Sequence, residues 1–407
     1  MKRFFLITTI LFCFLSTYAQ QISISDSAVI SLITCSPGEE VYAKFGHTAI
    51  RINDSKNGVD LVFNYGIFSF ETENFYYKFI KGETDYQLGV YDTKYFLPEY
   101  AQRNSMVWEQ ILNLTTPERR NLINLLLKNY EAENRTYRYN FVFDNCASRP
   151  RDKIFSAIQG FVKFQHSTEP KTFRQWIGVY VGTDTWLKFG IDIVFGMDAD
   201  RVATTGESMF LPEILMNEFQ TAQIQTSNGQ IRQLVTKNKI LVNKKETNTL
   251  EDSWIFKPTT VFCFLLIIGI CLTIWDIKER KLHFKYFDTL ILIISGIGGL
   301  VAFYLMFFSL HPLVRSNLNL LWLNPLNLIV AGLIWIKPMR KALFYYEIVN
   351  ILFLVGALLA FALSAQALNL ATFPIIVLLL MRSTSWFALT KRRLFKKKGD
   401  FNKAISI

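Results

Sequence analysis

From Thr259 onward the chain is dominated by apolar stretches, at about 259–275, 287–309, 319–336, 343–364 and 368–388, each near the length that crosses a bilayer as a helix. Peptide groups cannot be left unpaired in lipid, so residues 258–390 are predicted to form an all-α bundle of five transmembrane helices. Basic residues set the direction of threading. Lys278, Arg280, Lys281 and Lys285 fall in the first connection and Lys337, Arg340 and Lys341 in the third. The tail 391–407 adds Lys391, Arg392, Arg393, Lys396, Lys397, Lys398 and Lys403, whereas the other two connections hold only Arg315. By the positive-inside rule the basic segments and the C-terminus are cytoplasmic and residues 20–257 lie outside, on the periplasmic face of a multi-pass inner-membrane protein. The N-terminus agrees: Lys2 and Arg3, an apolar run from Phe4 to Leu15, and Ser16-Thr-Tyr-Ala19 read as a signal peptide over 1–19. An uncleaved anchor would give the same topology.

The net charge of +11 suggests nucleic acid until it is divided. Residues 258–407 hold 16 Lys and Arg against 5 Asp and Glu, and residues 1–257 hold 28 against 28. The basicity is therefore topological, no nucleic-acid partner is implied, and the tail suits anionic lipid. Residues 20–220 have the composition of one soluble domain, and 221–257, with a turn at Ser227-Asn-Gly-Gln230, reads as a hairpin stalk. Thr116-Pro-Glu118 starts a helix continued by Leu122, Ile123, Leu126 and Tyr130.

Within the exported part, Tyr137, Tyr139, Phe141 and Phe143 alternate as in an extended segment, and Cys146 follows directly. Asp144 or Asn145 can cap a helix that carries Pro150 in its first turn and Ile154 and Ile158 on one face, with Gly160 to end it. A thiol at a helix start, with Arg149 and Arg151 nearby, gains positive potential and a lowered pKa. His47 stands after Gly46 at the head of a short alternating strand, and a turn at Asn53–Gly58 leads into Leu61-Val-Phe-Asn64-Tyr65. His47 and Asn64 can therefore share a hairpin, and Cys146, His47 and Asn64 make a nucleophile, a base and an orienting amide.

These residues resemble a family. Thr34-Cys-Ser-Pro-Gly-Glu-Glu-Val-Tyr-Ala-Lys-Phe-Gly-His-Thr-Ala-Ile-Arg51, Phe63-Asn-Tyr-Gly66 and Asp144-Asn-Cys-Ala-Ser-Arg-Pro-Arg-Asp152 are similar to the Lnb-type periplasmic domain. That domain sits in the circularly permuted branch of the NlpC-like, papain-related superfamily that includes lecithin:retinol acyltransferase. The resemblance, over roughly residues 25–220, implies an α+β permuted papain-like exported domain with Cys146 as nucleophile and His47 as base; it does not fix Asn64 as the third group. It also implies transfer of a fatty acyl chain through a Cys thioester to the α-amine of the lipidated N-terminal cysteine of bacterial lipoproteins, with lipoprotein and phospholipid as substrates and no cofactor.

Other readings of the same residues remain open. Cys35 and Cys146 could form a disulfide in a non-catalytic receptor module, and a Cys/His pair also serves NlpC-like cell-wall peptidases, amidases and lipid hydrolases. No metal is expected, because no second His or Cys stands at ligand spacing. His166 reads as a surface residue. Arg149 and Arg151 can bind a phosphate or carboxylate, or simply be solvated. The loop Leu310–Leu318 falls on the side of Cys146, making His311 a candidate substrate contact. Asn317, Asn324 and Asn327 recur on one helical face, where Asn324 can touch substrate or, more ordinarily, bond between helices. Glu347 and Arg382, both near the cytoplasmic edge, can form an ion pair or snorkel, and are assigned structural roles.

Overall fold

The computed structural model describes residues 24–165, 169–245 and 253–404. The signal-peptide reading at 1–19 and His166 lie outside them. Seven strands form one antiparallel sheet: β1 (Val29–Cys35), β2 (His47–Asp54), β3 (Val59–Ile67), β4 (Asp85–Asp92), β5 (Val107–Leu112), β6 (Thr136–Arg138) and β10 (Val235–Val242). Their order is β10-β5-β1-β2-β3-β4-β6. A second antiparallel sheet joins β7 (Phe161–Lys163), β8 (Gln223–Gln225) and β9 (Ile231–Gln233).

The period of two in β1 to β3 gives the main sheet two apolar faces. Leu32, Ile50, Ile52, Phe63 and Tyr65 pack on one core, and Ile33, Cys35, Ala49 and Val62 on another. In chain order the first helices are α1 (Phe75–Lys81), α2 (Thr93–Gln102), α3 (Thr116–Tyr130) and α4 (Ser148–Ala157). Phe96 and Tyr100 of α2 cover the second face; Leu122 and Leu126 of α3 and Ile154 of α4 cover the first. α3 begins as its sequence requires, for Thr115 accepts from the Glu118 N–H and Glu118 accepts from the Thr115 N–H at 2.8 Å.

The rest of the domain adds α5 (Phe173–Val181), α6 (Trp186–Val194), α7 (Thr205–Ser208) and α8 (Pro212–Thr221). The segment read as a stalk is instead part of the fold. It holds the β8–β9 hairpin, with its turn where Asn228-Gly229 stand, and then β10, which pairs with β5 as the sheet edge. Alternating residues such as Ile231 to Val242 found a free sheet edge, and backbone pairing there outcompetes an isolated hairpin.

Among the described residues four helices are long and apolar enough to cross a membrane: α9 (Pro258–Glu279), α10 (Lys285–Phe308), α12 (Arg340–Ala362, preceded by a single turn from Lys337) and α13 (Thr372–Ala404). Five membrane helices were expected, and the third apolar stretch is not among these four. It contains a 3₁₀ turn at Leu318–Leu321, irregular backbone through Asn324 and Pro325, and only the short helix α11 (Asn327–Leu333). It nevertheless runs the length of α10. At the domain end Asn317 Nδ2 donates to the Ile193 carbonyl at 2.8 Å, and at the far end Lys285 Nζ, in the first turn of α10, donates to the Ile334 carbonyl at 3.1 Å. Irregular backbone survives at membrane depth only when protein covers it. Here α10 supplies the cover through two glycines, since a Cβ on Gly299 would lie 2.3 Å from the Leu323 carbonyl oxygen and one on Gly296 2.7 Å from the Leu328 nitrogen.

The domain is locked to the bundle by buried polar groups that sequence reading did not find. α6 drops Phe189 and Ile193 onto the core of the membrane bundle. Its Asp192, 2% exposed, accepts from Arg174 at 3.1 Å, from Asn369 Nδ2 at 2.8 Å and from Lys188. Around it, the Gly196 N–H donates to the Leu313 carbonyl at 2.9 Å and Gln366 Nε2 to the Phe195 carbonyl at 2.9 Å. Deeper in the bundle Arg382 bonds Asp288 at 2.6 Å and Asp276 at 2.9 Å, so its partners are these two carboxylates.

Candidate active site

β2 and β3 form the expected hairpin, with Ala49 opposite Asn64, and its open end carries the site. His47 opens β2 opposite Cys35 of β1, and its Nε2 lies 2.5 Å from Asn64 Oδ1. An amide oxygen only accepts, so Nε2 carries the proton and donates, which leaves Nδ1 as the basic nitrogen for the thiol. Cys146 hydrogen-bonds that imidazole and also receives the Thr48 backbone N–H.

Two local features bring Cys146 there. Asn145, buried, accepts from the N–H groups of Ala147 and Ser148, each at 2.9 Å, and donates to the Phe141 and Phe210 carbonyls, each at 2.8 Å. This caps the start of α4 and pins the turn that presents the thiol. The long aromatic strand expected before Cys146 shortens to β6, because Asn140 and Asp144 close a turn by exchanging backbone hydrogen bonds at 3.0 Å. The helix also stops earlier than Gly160, at Ala157. On the facing side Gly66 has φ +94°, and a Cβ there would meet Cys146 Cβ at 3.4 Å and His47 Cε1 at 3.9 Å. Gly66→Ala is accordingly expected to cost about 1–2 kcal/mol in backbone strain and, by shifting the pair, about 10²-fold in turnover; paired Tm and rate measurements separate the two effects.

Burial opposes charge on both partners, but the contact prevails: the imidazolium of His47 lowers the Cys146 pKa, and the thiolate with the Asn64 bond raises that of His47. Cys35 is the contrast. Burial pushes its thiol well up, and its hydrogen bond with Tyr100 does not offset this. Both cysteines are free thiols, which removes the Cys35–Cys146 bridge. Iodoacetamide is thus expected to alkylate Cys146 and spare Cys35 at neutral pH. Because the Cys146 pKa is depressed, the reactive thiolate persists below the ordinary thiol pKa of about 8.5 and is lost only as pH falls through the lowered value. In His47→Ala only the Thr48 and Cys146 N–H groups still oppose burial, and the midpoint of the alkylation rate should rise; equal midpoints in the two proteins would refute the pairing.

The three groups stand on one cavity of about 730 Å³, whose walls are largely aromatic and include Phe45, Phe68, Phe75, Phe79, Tyr86, Tyr139, Phe141 and Phe210. Tyr100 stacks on His47, ring centroids 6.2 Å apart at 19°, and Glu99 and Arg103, paired at 2.6 Å, lie beside it. Sequence reading missed this helix, whose only local signal is the Phe96/Tyr100 pair at helical spacing.

His311 reaches the same cavity, its Nε2 donating to the Phe79 carbonyl at 2.8 Å. The other candidate contacts are placed elsewhere. Arg149 pairs with Asp144 at 2.5 Å and stacks 3.6 Å from the centre of the Tyr137 ring, and Arg151 pairs with Asp152 at 2.7 Å; neither lines the cavity. Asn324 is also remote, its Oδ1 accepting from the Leu326 N–H at 3.0 Å to shape the start of α11. Among the described residues no group of three His, Cys, Asp or Glu side chains could hold a metal ion.

Residues 15–178 match the family described as the Lnb N-terminal periplasmic domain, and residues 250–394 match the Lnb transmembrane domain. No curated protein and no solved structure matches the chain. With both parts of this two-part architecture present, periplasmic domain first and membrane helices after it, the chain belongs to the Lnb-type lipoprotein N-acyltransferase family.

Proposed function

We propose that this protein is a membrane-bound cysteine acyltransferase that moves a fatty acyl chain, through a thioester on Cys146, to the α-amine of the lipidated N-terminal cysteine of a lipoprotein. The observation that carries the reading is the Cys146–His47–Asn64 relay at the wall of an aromatic cavity, in a domain packed onto membrane helices. The Cys146 thiolate attacks an ester carbonyl, and a tetrahedral oxyanion forms beside the Cys146 N–H at the start of α4. His47, protonated, gives its proton to the departing alkoxide and leaves the acyl chain on sulfur. The acceptor amine then attacks the thioester, His47 takes its proton, and the thiolate departs. Asn64 holds the imidazole in the tautomer that both steps need.

The apolar wall favours a lipid chain over a cell-wall peptide, whose polar groups would find few partners there. Purified protein incubated with a diacylated lipopeptide should show an acyl adduct on Cys146 that hydroxylamine releases, together with an N-acylated product of the same added mass. Adduct and free fatty acid without that product would make it a hydrolase. Digestion of purified peptidoglycan without any adduct would make it a peptidase.

A further inference from the structure

The cavity that begins at Cys146 continues to a place where the domain meets the membrane bundle. α1 lines it with Phe75, Tyr76 and Phe79 and turns a second apolar face outward: Tyr76 is 71% exposed, Tyr77 56% and Ile80 45%. This short helix is fastened to the domain end of α10. The Leu310 N–H donates to the Lys81 carbonyl at 2.8 Å, the His311 side chain to the Phe79 carbonyl at 2.8 Å, and the Tyr77 and Tyr304 hydroxyls hydrogen-bond each other. Gly82, at φ +78°, permits this closeness, since its Cβ would stand 3.3 Å from the His311 nitrogen. α10 ends at Phe308, so residues 309–311 sit where hydrocarbon gives way to headgroups. The exposed side chains of Phe307, Phe308 and Leu310 carry the lipid-facing surface of α10 directly onto α1. An aromatic, apolar helix face left in water would be costly, whereas at the membrane interface it is the expected composition.

Resting on the acyl-transfer reading above, we propose that α1 lies in the domain-side leaflet and that an ester-linked acyl chain passes from the bilayer between α1 and His311 into the aromatic cavity. The chain is that of a diacylglyceryl-bearing lipopeptide, not of a phospholipid. Arg103 is the one Lys or Arg among the lining residues and Glu99 neutralises it at 2.6 Å, while the His47 imidazolium is paired with the Cys146 thiolate, so the cavity offers no spare cation to a phosphodiester.

Full-length Cys146→Ser, which cannot pass through the thioester, is placed in phosphatidylcholine vesicles that contain either of two photoreactive lipids. One is a diacylglyceryl lipopeptide with a diazirine on its acyl chain; the other is phosphatidylcholine with the same chain. Both are expected to label residues 75–81, and the lipopeptide is expected to label Tyr139 and Phe141 in the cavity at least about tenfold more than phosphatidylcholine does, the ratio given by about 1.4 kcal/mol of discrimination. Labels confined to α9, α10, α12 and α13 with none on α1 would overturn the route. Equal labelling of Tyr139 and Phe141 by the two lipids would overturn the choice of occupant. Wild type is assayed alongside: transfer without α1 labelling sinks the route and keeps the chemistry, and cavity labelling without transfer does the reverse.

Discussion

Cells whose only copy carries Cys146→Ala are expected to accumulate lipoproteins with free α-amino termini, visible as N-terminal peptides whose acyl chains are all ester-linked and whose α-amine takes an amine-specific reagent. The reason lies in the division of labour at the site. Cys35 stands opposite His47 on β1, but it is buried with its thiol pKa pushed well up, so its proton is held and it does not replace the nucleophile. Removal of the nucleophile from a covalent relay typically costs about 10⁴-fold or more. His47→Ala should fall by about 10²–10⁴-fold, the ordinary worth of positioned proton transfer, because the thiol remains but loses its partner. Cys35→Ala should change the rate little. If Cys146→Ala kept transfer within tenfold of wild type, the thioester would not be on the path.

The second large effect concerns stability. Asp192→Ala would leave Arg174, 4% exposed, and Lys188 without the carboxylate they share, and would also strip Asn369 of its acceptor. Breaking a buried ion pair from one side costs about 3–5 kcal/mol, since the remaining charge stays desolvated. For a domain of this size that corresponds to a fall in Tm of roughly 10 °C. Arg174 keeps Asp200 at 2.6 Å, which places the loss toward the lower end. Asp192→Asn retains an acceptor and should lose less, so the ranking wild type, Asn, Ala in thermal scans of the detergent-solubilised protein tests the account.

What the sequence could show was decided by range. The β2–β3 hairpin and the α3 start rest on residues within a few positions of one another, and both appear as the patterns require. The meeting of His47 with Cys146 spans nearly a hundred positions, yet each side carried its own local mark: glycine and alternation before one, a capping asparagine before the other. Arg149 and Arg151 do not line the cavity, because helix position says which residues are near in sequence, not which way a guanidinium turns, and Tyr137 and Asp144 take the first of them. α1 and α6 had no readable role, since both are placed in part by contacts with the membrane helices. The aromatic content of α1 was visible in the letters, but its two partners, cavity and α10, are set by tertiary contact.

The broken passage beside α10 bears on a question of parity. Counting regular helices alone gives an even number, which would bring the basic tail back to the face that bears the thiol. With the stretch from Asn317 to Ile334 added, which reaches from the Ile193 carbonyl of α6 to Lys285 at the far end of α10, the number is odd, and the tail is then expected on the opposite face. On that count Lys391 through Lys398 should meet a different compartment from Cys146. A fluorescent reporter that matures only in the cytoplasm should glow when fused after Ile407, and a phosphatase that folds only in the periplasm should stay inactive there.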